Sequence, residues 1–444
     1  MSCLAKAVSR DELGKEIEMK KGLLLTGMTL IDGTGEEPLP NAAVLVREGK
    51  FERVGEKSSI ENADAETVDL SGTFMLPGLI NSHDHLYHGK TARGMAVKPR
   101  GISFSRIKAL LKEEPEPYLV LLAARDAIVQ LMEMGVTTVR DCGSTYGVSY
   151  HLKRAISEGV LPGPRLIICG QFIVMTGGHV ASIGRGGVNS VADGREGIRT
   201  AVREQLGRGA DFIKIMASGS FVTEPERGII DIPAFTVEEL QVAVEEAHQA
   251  GRMIAAHADG ATGIRRSLKA GVDCIEHGLY LDAESVAQMV EQGTFLVPTL
   301  SGRMRIVDYI REVGDVEFAD VIHRKEVVPN VKSFQLALEA GVKIGAGPDT
   351  QGELIRELEV FVENGMTPMQ AVVSATRIGA EIAGISETAG TIEAGKVADF
   401  IVLERNPLVK ISAFRKPKWV YQAGRKLSLD EHFEYSRHFS DWSS

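Results

Sequence analysis

The chain of 444 residues has only four cysteines, Cys3, Cys142, Cys169 and Cys274, set far apart with no Cys-x-x-Cys pair. That argues against a disulfide framework. Cys142, Cys169 and Cys274 each lie in or beside an apolar run, so buried free thiols in a reducing compartment are expected. An excess of positive charge is also lacking: 50 basic against 60 acidic residues leave −10, which argues against nucleic acid or an anionic membrane as partner. No run approaches the roughly 18 uncharged apolar residues of a membrane span. Met1 to Gly22 is mixed in charge and lacks the apolar stretch of a signal peptide. A cytoplasmic protein is expected. No Gly-x-Gly-x-x-Gly follows a first strand, so nothing marks an open, doubly wound nucleotide fold.

What the chain does have is ordinary globular composition, 44% hydrophobic and 25% charged, and enough length for two domains or one large barrel with an appendage. After a charged leader (1–21), short β-rich runs and turns such as Asp32-Gly33-Thr34-Gly35 fill 22–77. Pro77-Gly78 marks a corner. Beyond it, strand and helix patterns alternate: Leu79–Ser82, Thr137–Arg140, Arg165–Cys169, Phe212–Met216, Met253–Ala256, Cys274–Ile275, Thr294–Val297 and Val342–Ala346 read as strands. Eight such units imply an α/β fold with a parallel sheet closed as a (β/α)8 TIM-like barrel over 78–389. A helical stretch, Thr367–Ala383, follows the last strand. Turn-plus-strand composition then returns at 390–430, so a small composite β-sandwich built from 22–77 and 390–430 is expected, with a tail at 431–444.

The apolar run Leu-Ile-Asn-Ser-His-Asp-His (79–85) ends in His83 and His85. Side chains alternate along a strand, so residues two apart share a face and both imidazoles can reach one cation. A lone His-x-His is weak. In a barrel, however, the active site gathers at the C-terminal ends of the strands. There the chain also places Lys214 in the apolar run 211–216, His257, His277, and Asp349 in Gly-Ala-Gly-Pro-Asp-Thr. Singly, each histidine reads as a core residue, Lys214 as half of an ion pair, and Asp349 as a turn residue. Together they form a nitrogen and carboxylate set suited to Zn2+ and similar divalent ions. A desolvated lysine can lose its proton, and its neutral amine can take up CO2 to give a carbamate able to bridge two metals.

These motifs, with Gly-Thr-Ile-Glu-Ala-Gly-Lys-Val-Ala-Asp-Phe (390–400), resemble the amidohydrolase superfamily over about residues 22–427. More narrowly, the chain is similar to the group of imidazolonepropionase-like proteins, Xaa-Pro and Xaa-Arg dipeptidases and ochratoxin-type amidases. The resemblance implies two divalent ions, most simply Zn2+. His83, His85 and Asp349 would hold the more buried one, His257 and His277 the other, and carboxylated Lys214 would bridge them. It also implies a homo-oligomer. The chain departs from the dipeptidase pattern in the loop 220–228, in Asp259 after strand five, and in the short segment after Asp349.

The implied reaction is hydrolysis of the amide bond of a small N-acyl amino acid or dipeptide by a metal-bridging hydroxide. Asp349 would move the proton and His179, in Thr-Gly-Gly-His, would donate to the oxyanion. His179 reads equally as a loop-stabilising residue. Segments 86–111 and 218–232 are long enough to be lids, and Arg93, Lys98 and Arg227 could meet a substrate carboxylate or be solvated charges. Two alternatives stay open: a deaminase or cyclic-amide hydrolase with one working metal, against which Lys214 counts, and a non-enzymatic assembly-forming relative, for which ligand loss would be expected.

Overall fold

The computed structural model describes residues 22–60, 64–86, 115–144, 147–179, 189–219, 232–350 and 352–427. The leader, the tail, Cys3, Arg93, Lys98, Arg227 and nearly all of both lid segments lie outside the described residues.

The β-rich start of the chain forms β1 (Leu23–Leu30), β2 (Leu39–Arg47), β3 (Lys50–Glu56), β4 (Glu66–Asp69) and β5 (Phe74–Pro77). The corner at Gly78 leads directly into β6 (Leu79–Asp84). Then follow β7 (Val136–Asp141), β8 (Arg165–Ile168), β9 (Phe172–Val174), β10 (Asn189–Val191), β11 (Phe212–Met216), β12 (Met253–Ala258), β13 (Cys274–His277) and β14 (Phe295–Val297). Helices join most of them, among them Pro115–Met134, Gly194–Gly207, Val237–Gln249, Ala261–Ala270 and Ala283–Gln292. Local sequence sets their ends. Thr236 and Glu239 form a reciprocal capping box, and Gly271, Gly293 and Gly341 close helices in the left-handed conformation.

These strands pair in two parallel sheets, β6-β7-β8 and β10-β9-β11-β12-β13-β14. Alternation assigns their faces. Ile213, Ile215, Ile254, Ala256 and Ile275 pack into the large core shared with the helices, whereas Phe212, Ala255 and Cys274 join Cys142, Ile167, Cys169 and Val297 in a separate cluster on the other face. Ile382 and Ala383 belong to that same inner cluster. The three thiols are free and buried, and they serve as small core residues.

The sequence pattern makes 342–346 an eighth strand, but only one parallel bridge, Leu296 to Ile344, is formed there. The segment is nonetheless held on both sides. Leu296 N donates to Lys343 O (3.0 Å) and Ser82 N to Ala346 O (2.8 Å). Asp349 N likewise donates to His83 O (3.1 Å). At the other margin Asp211 N donates to Ile168 O (2.7 Å), linking β8 to the start of β11. Gly347 explains the close approach: a Cβ there would stand 2.5 Å from His83 N and 2.7 Å from His83 Cβ. The expected helix over 367–383 is broken in two, Pro368–Ser374 and Arg377–Ile382, with Thr376 in a non-helical conformation (φ −132°, ψ −92°) between them.

The chain ends its described part with β15 (Phe400–Leu403), β16 (Trp419–Gln422) and β17 (Arg425–Lys426). Strands from both ends of the sequence share one sheet in the order β17-β16-β15-β5-β1-β2-β3, with β4 also on β1. The join is antiparallel, Phe400 opposite Pro77 and Leu403 opposite Phe74. Phe51 N donates to Lys396 O and Ala398 N to Gly49 O, so the β2–β3 hairpin reaches the segment that leads into β15. Alternation again divides the faces: Met75, Phe400 and Val402 pack among themselves with Leu25, Val44 and Phe51, while Leu76, Ile401 and Leu403 enter the main core.

Candidate functional site

His83 and His85 come from the end of β6. Its pairing with β7 is irregular between Asn81 and Asp84, which frees the strand to turn His83 and His85 to one side and Asp84 to the other. Asp84 accepts from Gln130 Nε2 (2.7 Å) on the helix behind and from Asn81 Nδ2 (3.1 Å). The two imidazoles lie with centroids 5.3 Å apart. Asp349 Oδ1 faces both, 3.9 Å from His83 Nε2 and 3.8 Å from His85 Nε2.

Each of these rings is held from behind. His83 Nδ1 is 2.5 Å from Glu276 Oε2, and His85 Nδ1 is 2.7 Å from the carbonyl of Gly143. A carbonyl can only accept, so Nδ1 of His85 carries a hydrogen, and of the two neutral tautomers this one has its lone pair on Nε2. The same logic gives His83 a bare Nε2, and that atom is buried with no hydrogen-bond partner.

A second group stands on β12 and β13. His257 and Asp259 are two residues apart, with Nε2 and Oδ2 at 3.5 Å. The ring of His277 lies 4.5 Å from that of His257 and 5.0 Å from that of His83. Its neighbour Glu276 already points inward, so a regular strand would send His277 to the helix side. Instead its backbone is left-handed (φ 72°), and its Nδ1 meets Thr299 Oγ1 at 2.7 Å. Asp349 (φ 63°) and Thr299 (φ 52°) are left-handed as well. Such conformations cost of order 1–3 kcal/mol each and persist where the surroundings impose them, typically at functional sites.

Lys214 is 1% exposed on β11, and among the described residues no ion pair is found for it. Its charge reaches His83, His277 and Glu276. Burial, then the charge of Lys214, pushes His83 down to about 4. Burial alone would raise Asp349, but His83 and His85 outweigh it and hold the carboxyl well below its usual range. His179 stacks on His257 with centroids 4.3 Å apart and planes 13° from parallel, and burial and the charge of His257 push it down. The donor geometry yields three three-residue groups able to hold a cation, His83/His85/Asp349, His257/Asp259/His277 and His83/Cys142/Glu276; in the last, His83 is already hydrogen-bonded to Glu276.

All six residues expected from the sequence to hold metal therefore gather around one place. Sequence reasoning passed over Glu276, Arg140, Arg303 and the hydroxyl of Thr299, and marked Asp259 only as a departure from the dipeptidase pattern. Arg140 Nη1 donates to Glu276 Oε1 (2.7 Å) and to Ser82 O (2.9 Å), with its guanidinium 3.9 Å above the ring of Phe212. The usable signal was a full charge inside an apolar strand, the same signal that singled out Lys214.

The amidohydrolase family model matches residues 74–426, and this chain belongs to that family. It is thus a hydrolase acting on carbon–nitrogen bonds, and the family's parallel sheet with surrounding helices is a TIM-barrel α/β fold. The ochratoxinase of Aspergillus niger is 30% identical over 91% of this chain and 85% of its own length. The crystal structure of a Xaa-Pro dipeptidase with bound methionine in the active site superposes with a TM-score of 0.77 at 30% identity, covering 92% of this chain and 100% of that one. An imidazolonepropionase of Rhizobium rhizogenes is 24% identical over 83% of this chain and 88% of its own length. Among the described residues no helix is long and apolar enough to cross a membrane.

Proposed function

We propose that this chain is a metal-dependent amidohydrolase that cleaves the amide bond of a small N-acyl amino acid or dipeptide. The observation that carries it is the pair of buried ring nitrogens, His83 Nε2 and His257 Nε2, left without hydrogen bonds among the donor atoms of His85, His277, Asp259 and Asp349. Orphaned nitrogens of this kind are costly unless something else satisfies them, and divalent cations suit the donors present. His83, His85 and Asp349 would hold one ion and His257 and His277 a second, with Lys214, as its carbamate, between them. Zn2+ is the simplest choice, and when bound it would supply Lewis acidity and lower the pKa of water.

The chain's own groups do the rest. Asp349 is ionised and half-buried, with its carboxylate facing two histidines, so it is placed to accept a proton from the attacking water and return it to the leaving nitrogen. His179 is kept neutral, and a neutral imidazole retains one N–H to donate to the developing oxyanion. The two parallel sheets would close through 343–346 into an eight-stranded barrel over 78–389. Residues 22–77 and 390–430 would form the composite β-sandwich beside it. The free buried thiols suit a cytoplasmic setting. Likeness to an imidazolonepropionase keeps a cyclic amide as the second substrate reading.

Metal analysis of the purified protein, paired with a screen of dipeptides and N-acyl amino acids, tests this. About two equivalents per chain and turnover of a linear amide are expected. Lys214→Ala should lose activity; full activity in that variant would sink the bridged arrangement. One equivalent with turnover only of a cyclic amide would favour the second reading.

A further inference from the structure

The helix Leu300–Glu312 begins without a cap of its own. Its N-cap, Thr299, is left-handed, and the hydroxyl that would ordinarily accept from the first turn lies instead 2.7 Å from Nδ1 of His277. A buried helix start cannot leave its N–H groups bare. Here a carboxylate from another helix supplies what Thr299 does not. Glu357, on the helix Leu354–Glu363, accepts from Leu300 N at Oε1 (2.8 Å) and from Ser301 N at Oε2 (2.6 Å). Leu300, Ser301 and Glu357 are all buried. The residue before Thr299 is fixed as well, since Asn330 Nδ2 donates to Pro298 O (2.8 Å).

The same turn is the floor beneath Asp349. A Cβ on Gly302 would run into Pro348 O and lie 3.4 Å from Asp349 Cβ. One on Gly352 would run into both Pro348 O and Ser301 Oγ. The turn 348–352, closed by Gly352 N donating to Asp349 O (3.3 Å), is therefore laid directly on residues 301 and 302. One helix start thus serves both histidine groups, His277 through Thr299 and Asp349 through Gly302.

We propose that Glu357 is a positioning residue for both groups. By capping the helix Leu300–Glu312 from outside, it leaves the Thr299 hydroxyl to His277 and holds the floor under Asp349. It touches neither cation nor substrate. This rests on the reading that the site holds cations, and its consequence is that loss of one remote carboxylate loosens both cation positions together.

The test is competition for Zn2+ between the full-length protein and a chromophoric chelator. Glu357→Ala should weaken both equivalents by about ten- to hundredfold. Thr299→Val should weaken only one. It should add little to Glu357→Ala at that equivalent, because both changes release the same ring. Glu357→Gln keeps one acceptor oxygen and should fall between Glu357→Ala and the wild type. Glu359→Ala, on the same helix, removes the pair with Arg415 (3.0 and 2.9 Å) and should leave both equivalents unchanged. Near-ultraviolet circular dichroism checks folding, and the glutamine variant carries the test if the alanine one does not fold. A wild type that binds two equivalents while the Glu357 variants keep its affinities overturns this inference alone, as does an equal loss in Glu359→Ala. A wild type that binds no Zn2+ overturns it together with the metal-dependent reading.

Discussion

His83 Nδ1 and Glu276 Oε2 lie 2.5 Å apart with no exposed surface on either side chain, and the second oxygen of Glu276 is held by Arg140. A carboxylate so placed keeps the ring in one orientation and makes it a better donor. Glu276→Gln should weaken one cation equivalent by about ten- to hundredfold, read by chelator competition. It also strands Arg140, and losing one partner of a buried pair costs about 3–5 kcal/mol in unfolding experiments. A variant with normal metal affinity would show that Glu276 only fills space.

Gly347 lets 343–349 lie against the His83 backbone, where a methyl group would collide with main-chain atoms rather than a flexible tip. Gly347→Ala should cost about 1–3 kcal/mol by overpacking and pull Asp349 away from His83 and His85. Loss of one cation equivalent from a folded protein, seen by metal analysis after gel filtration, is the expected result. Full retention of metal would argue that the segment moves freely.

Glu357 is buried and accepts from the backbone N–H groups of Leu300 (2.8 Å) and Ser301 (2.6 Å), just beyond the left-handed Thr299. Burial pushes its carboxyl from 4.5 up to about 7, against those hydrogen bonds. The folded state then holds this proton more tightly than the unfolded one. Its contribution is greatest below about pH 4.5 and is lost as pH rises to about 7, some 3 kcal/mol in all. Urea unfolding of metal-free protein across that window should show this falling component, and Glu357→Gln should remove it.

Burial raises the thiol of Cys142 to about 12 and those of Cys169 and Cys274 upward too. Only thiolate reacts readily. In a Cys3→Ser background, a thiol reagent at about pH 8 should label nothing quickly in folded protein, and all three sites once denaturant is added. Rapid labelling of any one would contradict the inner packing.

Most of this arrangement was legible in the sequence because strands and helices write different periods, and because His83, Lys214, His257 and His277 each interrupt or end an apolar run. The eighth strand was overread: Val342–Ala346 has strand composition, but it forms a single bridge, and Gly347 just beyond it serves close backbone approach to His83 rather than ladder pairing. Helix Thr367–Ala383 was overread too, since nothing in Ala375-Thr376 announces a break that tertiary packing imposes. The left-handed backbones of His277, Thr299 and Asp349 left no trace, because non-glycine residues there are held by contacts far away in sequence. Asp259 stood out only as a departure from relatives. Its partner Arg303 comes from the helix Leu300–Glu312, a segment the strand-and-helix pattern had not marked at all.

Pro77 on β5 pairs with Phe400 on β15, and Gly78 N donates to Asp399 O (2.9 Å) one residue before the strand that carries His83 and His85. During synthesis those histidines leave the ribosome long before their neighbour's partner exists. The nascent chain must wait with an open sheet edge beside its future active site, and emergence of β15 fastens it late. Truncation ahead of β15 would therefore remove the clasp on the first half rather than a dispensable end.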